Sequence, residues 1–163
     1  MNEMIHRVMI CVGGLILAFV LLLAQPALAD FEAGMAAYKA GDYAAALPEM
    51  QAAAEGGHAR AQYALGSMYN EGKGVPPDRA LAVEWWRKAA MQNHAQAQFA
   101  LGVAHSSGSG VAKDNIAAHM WFSLAAAQGK KNAERLLQVI VRQMTPAEIT
   151  EAERRAEDWR AAS

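Results

Sequence analysis

The sequence predicts an all-α protein, a short α-solenoid built of antiparallel helix pairs. The first observation behind this is a repeat: "HARAQYALGSMYNEGKGV" from His58 returns as "HAQAQFALGVAHSSGSGV" from His94, in a register of 36 residues. The second is composition, since the chain beyond residue 29 is dominated by alanine, with Leu, Met, Gln and Glu scattered through it, all residues that form or tolerate helix. The third is the lack of any stretch that alternates apolar and polar residues as a half-buried strand does. Helix pairs repeated at such a period bury their apolar faces only against neighbouring pairs, so a short chain repeats itself to build a core.

At the N-terminus an uncharged apolar run from Val8 to Leu23 follows Arg7 and leads into Pro26 and the small-residue pattern Ala27-Leu28-Ala29. This predicts a secretory signal peptide over residues 1–29, cut between Ala29 and Asp30, and hence a periplasmic or secreted bacterial protein. The alternative is an uncleaved inner-membrane anchor, although the run of 16 residues is shorter than the roughly 18–20 that span a bilayer. The single cysteine, Cys11, lies inside that run. Residues 30–163 therefore hold no disulfide, thiol nucleophile or cysteine metal site, and packing alone must stabilise them. Glu3 and Arg7 cancel, so this part keeps the formal balance of −1 and has no net pull toward nucleic acid or anionic lipid.

Residues 30–57, "FEAGMAAYKAGDYAAALPEMQAAAEGG" and the residue before it, read as a degenerate helix pair turning at Gly41-Asp42. Pro48 inside its second helix predicts a kink or a late start. In residues 58–93, Ala61, Leu65, Met68 and Tyr69 recur at helical spacing. Gly66 sits among them at a cost of about 1 kcal/mol against alanine, so its return as Gly102 predicts the close approach of a neighbouring helix. Gly72 and Gly74, repeated as Gly108 and Gly110, end the first helix and reverse the chain. Val75 and Val111 tuck under the turn, and Asp78 and Asp114 stand where an N-cap belongs. The second helices, "RALAVEWWRKAAMQ" and "NIAAHMWFSLAAAQ", end at Asn93 and Gly129, which tolerate a left-handed cap. In residues 94–129, "AHSSG" replaces "MYNEG" and predicts a looser end to the first helix.

Residues 130–163 predict two capping helices, near 131–143 and 146–160. The first carries Leu136, Leu137, Ile140, Val141 and Met144 on one face. Thr145-Pro146-Ala147-Glu148 is a capping box with proline at the first helical position. The last helix has a thin stripe of Ile149, Ala152, Ala156 and Trp159 and is otherwise charged, as the open end of a solenoid requires.

The two full units, "ARAQYALG…GKGVPPD…EWWRKAA" and "AQAQFALG…GSGVAKD…MWFSLAA", resemble the Sel1-like repeat (SLR), a branch of the tetratricopeptide-repeat superfamily. With the degenerate first pair and the C-terminal helix, the resemblance covers nearly all of residues 31–160. It implies a scaffold or adaptor that holds a protein partner, in a multiprotein or cell-envelope assembly, and is not an enzyme.

The residues themselves offer no rival chemistry of comparable strength. His58, His94, His105 and His119 include no pair at the i, i+3 or i+4 spacing of helical metal ligands, and the first two open their units' first helices. "GKGV" and "GSGSGV" follow no strand and lack the spacing of a phosphate loop. Ser106, Ser107 and Ser109 sit in no Gly-x-Ser-x-Gly elbow. Glu49, Glu71 and Glu84 form no acid–base pair. The expectation is therefore no catalytic residue, no metal and no cofactor. A cell-wall enzyme with the repeat as recognition module, and a membrane-tethered assembly factor, are the alternatives to an adaptor; membrane association requires the uncleaved N-terminus.

Two surfaces are candidates for the partner. Adjacent residues on a helix point about 100° apart, so in Trp85-Trp86 and Trp121-Phe122 one member is core and the other is free to anchor a partner. The other surface is the face of the first helices, where Arg60, Ser67, Asn70, Gln96 and Val103 lie between the packing positions.

Overall fold

The computed structural model describes residues 26–162. The candidate apolar signal segment lies outside them, while Ala29 and Asp30 fall within the first helix. Eight helices run in order among the described residues, with no strand: α1 Pro26–Ala40, α2 Tyr43–Glu55, α3 Ala59–Glu71, α4 Arg79–Ala90, α5 Ala95–Ser107, α6 Asn115–Ala127, α7 Lys131–Val141 and α8 Pro146–Ala162. They pair as α1 on α2, α3 on α4 and α5 on α6, and successive pairs join through α2 on α3 and α4 on α5. The end is closed by α7 and α8, which both pack on α6.

The caps account for the boundaries. Asp42, Asp78 and Asp114 each accept from the backbone N–H three residues on, at 3.0, 2.9 and 3.0 Å, and so start α2, α4 and α6 in a register of 36. At α8, Thr145 N–H donates to Glu148 Oε2 at 2.8 Å and Glu148 N–H to Thr145 Oγ1 at 3.3 Å, a closed capping box.

One local expectation fails, and of the kink or late start expected at Pro48 the late start does not occur, each for an identifiable reason. Pro48 neither delays nor ends α2, which starts at Tyr43 on the Asp42 cap and runs through the proline to Glu55. The backbone bond it removes would have ended on Ala44, an exposed residue whose carbonyl water can reach. The end of α5 is no looser than that of α3: both helices have 13 residues and stop at a left-handed glycine, Gly108 at φ 74° and Gly72 at φ 71°. Ser106 and Ser107 turn their hydroxyls back onto the Val103 carbonyl, at 2.9 and 2.8 Å, so the polar replacements are absorbed within the helix.

The core is a row of linked clusters along the stack. Phe31, Met50, Leu65 and Met68 fill the first interface, Trp86, Leu101, Trp121 and Leu124 the second, and Phe122 and Ile140 the last. Trp159 of α8 meets Trp121 edge-on at 4.9 Å, which seats the final helix on the stack.

Candidate functional site

The first helices of the two full units begin on residues that do more than open them. His58 and His94 are the N-caps of α3 and α5, and each Nδ1 accepts from the backbone N–H three residues on, at 3.3 Å. Each imidazole also stacks on an aromatic ring of the preceding first helix: His58 on Phe31 at 4.3 Å between centroids, His94 on Tyr63 at 5.1 Å. The third position in this series is Lys130, which caps α7 without a side-chain bond. Burial holds His94 below the ordinary imidazole value, and the neighbouring Lys130, Arg60 and His58 add to it.

Between the first helices runs an open groove in three adjoining stretches. Met35 and Tyr38 of α1, Arg60, Ser67 and Glu71 of α3, and Gln96 of α5 line the first, of about 300 Å³. Tyr63 and Gln96 pass into the second, of about 290 Å³, which reaches Phe99, Lys130 and Lys131. Phe99 and Asn132 pass into the third, of about 480 Å³, bounded by Arg135 and Leu136 of α7 and by Arg142 at its C-terminal cap. Arg60 lies 4.8 Å above the Phe31 ring, a cation–π contact that holds its exposed guanidinium at the rim.

The groove brings together Arg60, Ser67 and Gln96 of the residues singled out in the sequence. Ser67 donates to the Tyr63 carbonyl at 3.0 Å. Asn70 is half-buried and Val103 is 39% exposed; neither lines the groove. Trp86 is buried over Gly66, which leaves Trp85 as the member of that pair with exposed surface, whereas Trp121 and Phe122 are both buried and offer no anchor. Lys88 sits 3.8 Å over the Trp85 ring, on the second-helix side. Ala29 and Asp30 lie on α1.

An amide ladder with buried acceptors, not foreseen from the sequence, joins the units. Gln62 and Gln98, 5% and 0% exposed, accept from Gln92 and Gln128 respectively, each at 2.8 Å. Gln62 donates to the Ala54 carbonyl at 3.1 Å and Gln98 to Asn93 Oδ1 at 3.3 Å. The pairs repeat at 36 residues and tie each unit's first helix to the ends of its own and the preceding second helices. The glutamine in "RAQYALG" and "QAQFALG", flanked by alanine and an aromatic on a buried face, was the available signal.

Stacked helix pairs with an open groove along their first helices define the class of short α-solenoid. The Sel1 repeat matches this chain twice, over residues 59–94 and 95–130. A solved Sel1 repeat protein from Oxalobacter formigenes is 40% identical and superimposes with a TM-score of 0.63, covering 69% of this chain and 87% of its own. The chain belongs to the Sel1 repeat family. It is also similar, at 28% identity and a TM-score of 0.78 over 82% of its length, to a protective antigen of uropathogenic Escherichia coli strains that displays an SLR fold. The chain spans 29% of the length of that antigen. No curated protein matches it. Sel1 repeats generally mediate protein–protein interaction, and the fold they build is a non-catalytic scaffold.

Proposed function

We propose that the protein is a periplasmic or secreted adaptor that binds a protein partner in the groove of its first helices and catalyses no reaction itself. The observation that carries this reading is the meeting of Arg60, Ser67 and Gln96, from two successive units, around one groove beside the Tyr63 ring. Arg60 and Gln96 are exposed and fill no core position, so they are available to a partner at little cost to folding. Export rests on the signal-peptide pattern ending at Ala29, and a mature chain starting at Asp30 would retain every residue of the groove.

Crosslinking in intact cells tests the binding face. The combined Arg60→Glu and Gln96→Glu variant should melt within a few degrees of the parent, having lost only the exposed Arg60–Phe31 contact of about 0.5–1 kcal/mol, yet lose its captured partner. Retention of the partner by that variant, with loss on Trp85→Ala in a folded protein, would move recognition to the second-helix face. Intact mass of the protein from the envelope fraction tests export: a chain beginning at Asp30 is expected, and an uncleaved chain would make it a membrane-tethered factor.

A further inference from the structure

We propose that the occupant of the groove is an extended acidic segment of the partner, its carboxylates seated at the α7 end; this rests on the groove being the binding face. Among the described residues that line it, only Glu71 is acidic, and Lys73 already neutralises it at 2.7 Å. Lys130, Lys131, Arg135 and Arg142 line the other end, and none of them forms an ion pair among the described residues. The whole chain carries a formal charge of −1, so its carboxylates are segregated from this strip. Many are on α8, where Glu151 pairs with Arg154 and Arg155 and Asp158 with Arg154. Four unpaired cations along one wall repel one another, and a ligand's carboxylates relieve that repulsion while setting its direction.

The rest of the lining suits a peptide better than a nucleic acid. Leu136 and the 51% exposed Val139 stand among the cations, and Gln96, Asn132 and Gln138 offer amides to a main chain. The α1 end presents Met35, Tyr38 and Ala64 with Arg60 and the neutralised Glu71. A uniformly charged phosphate backbone would find cations mainly at one end, whereas a peptide can place acidic residues there and apolar ones at the other. The line of first helices α1, α3 and α5, continued by α7, has three gaps; at about 8–10 Å each these give a groove of about 24–30 Å, which holds about seven to nine residues of extended chain.

Selection of a random nine-residue peptide library on the purified protein tests this. Enriched peptides should gather Glu and Asp at one end and apolar residues at the other. Their affinity should weaken with salt and drop about tenfold in a Lys131→Glu, Arg135→Glu variant, both exposed positions, with the melting temperature unchanged. Neutral or basic peptides that Arg60→Glu with Gln96→Glu displaces would keep the groove as the binding face and overturn its acidic preference. Peptides indifferent to both variants, or no enrichment at all, would overturn the groove reading itself. Equal or tighter binding of oligodeoxythymidylate with the same dependence on Lys131 and Arg135 would make the ligand a nucleic acid and overturn the proposal.

Discussion

Trp86 lays its indole across Gly66: a Cβ at Gly66 would stand 2.7 Å from ring atoms Cδ1 and Nε1 and 3.0 Å from the Ala82 carbonyl oxygen. The relationship returns at Gly102, where a Cβ would lie 2.5 Å from Cδ1 and Cε1 of Phe122. In the first pair the Gly34 position is tight for a different reason: a Cβ there would meet Glu49 Cβ at 3.0 Å and the Met50 backbone nitrogen at 3.2 Å before Met50 Cγ at 3.3 Å. Each full unit thus sets a missing side chain on its first helix against an aromatic ring on its second. Gly66→Val and Gly102→Val should each cost about 2–4 kcal/mol in urea unfolding, because a packed ring cannot retreat. Gly66→Ala and Gly102→Ala should be milder, since helix propensity returns about 1 kcal/mol. The cost of Gly66→Ala should shrink in a Trp86→Leu background, as expected of two groups in contact. Equal and negligible costs for valine and alanine would mean that the rings move aside.

Such notches, the Asp caps and the Thr145 capping box were legible in the sequence because each rests on a residue and its immediate neighbours, reinforced by the 36-residue register. The ladder was not, because Gln98 meets Gln128 across 30 residues and its burial depends on how pairs stack. Histidine as an N-cap was hidden for a different reason: an imidazole is rarely the capping group, and position alone suggested that His58 and His94 open helices. The groove was half legible. Spacing placed Arg60, Ser67 and Gln96 on first helices, but the third stretch on α7 departs from the repeat pattern, so its continuity appeared only in three dimensions. The loose end expected at "AHSSG" failed because the left-handed Gly108 sets the stop whatever precedes it.

Gln98→Ala should destabilise by about 2 kcal/mol. The side chain is fully buried, accepts from Gln128 and donates to Asn93, and its removal leaves a polar gap between two units. Gln128→Ala should cost less, about 1 kcal/mol or under, since Gln128 is exposed and Gln98 keeps its Asn93 bond. Thermal unfolding of the two variants checks the order. A larger loss from Gln128 would show that the ladder is held from the exposed side.

Acid should weaken the fold before any carboxylate titrates. Burial is the largest cause holding His94, His105 and His119 below the ordinary value of 6.5; Asp114 opposes it at His105 and Glu153 at His119. Below about pH 6.5 the unfolded chain therefore takes up protons that the folded chain refuses, so stability is full above that pH and falls as pH drops through the folded values. Melting temperature should decline between pH 7.5 and 5.5. His94→Asn should keep a capping acceptor, stay near the parent at pH 7.5 and reduce the decline. His94→Ala should instead cost about 1 kcal/mol at pH 7.5 through loss of the cap. A decline that His94→Asn leaves unchanged would assign it to His105 and His119.

Gly110 and Gly129 allow the cost of a left-handed backbone to be separated from the cost of a collision. Their φ angles are close, 74° and 80°, but a Cβ at Gly129 would meet nothing within 4 Å, whereas one at Gly110 would run into the carbonyl of Arg79 at the start of α4. Gly74 meets the Tyr43 carbonyl at 2.7 Å in the same way, one unit earlier, so each reversal rests its backbone on the start of the preceding second helix. Asn93, at φ 59°, occupies the position equivalent to Gly129 and shows that a side chain can stand there. Gly129→Ala should then cost only the left-handed penalty, about 1–2 kcal/mol, and Gly129→Asn less. Gly110→Ala carries the same penalty plus the collision with backbone that is itself the first turn of a capped helix, and should exceed it by at least about 1 kcal/mol. Gly110→Asn should bring no relief, because the conflict is with any Cβ. If Gly110→Ala and Gly129→Ala prove equal in urea unfolding, the reversal does not bear on Arg79, and the two units are joined by helix packing and the amide ladder without it.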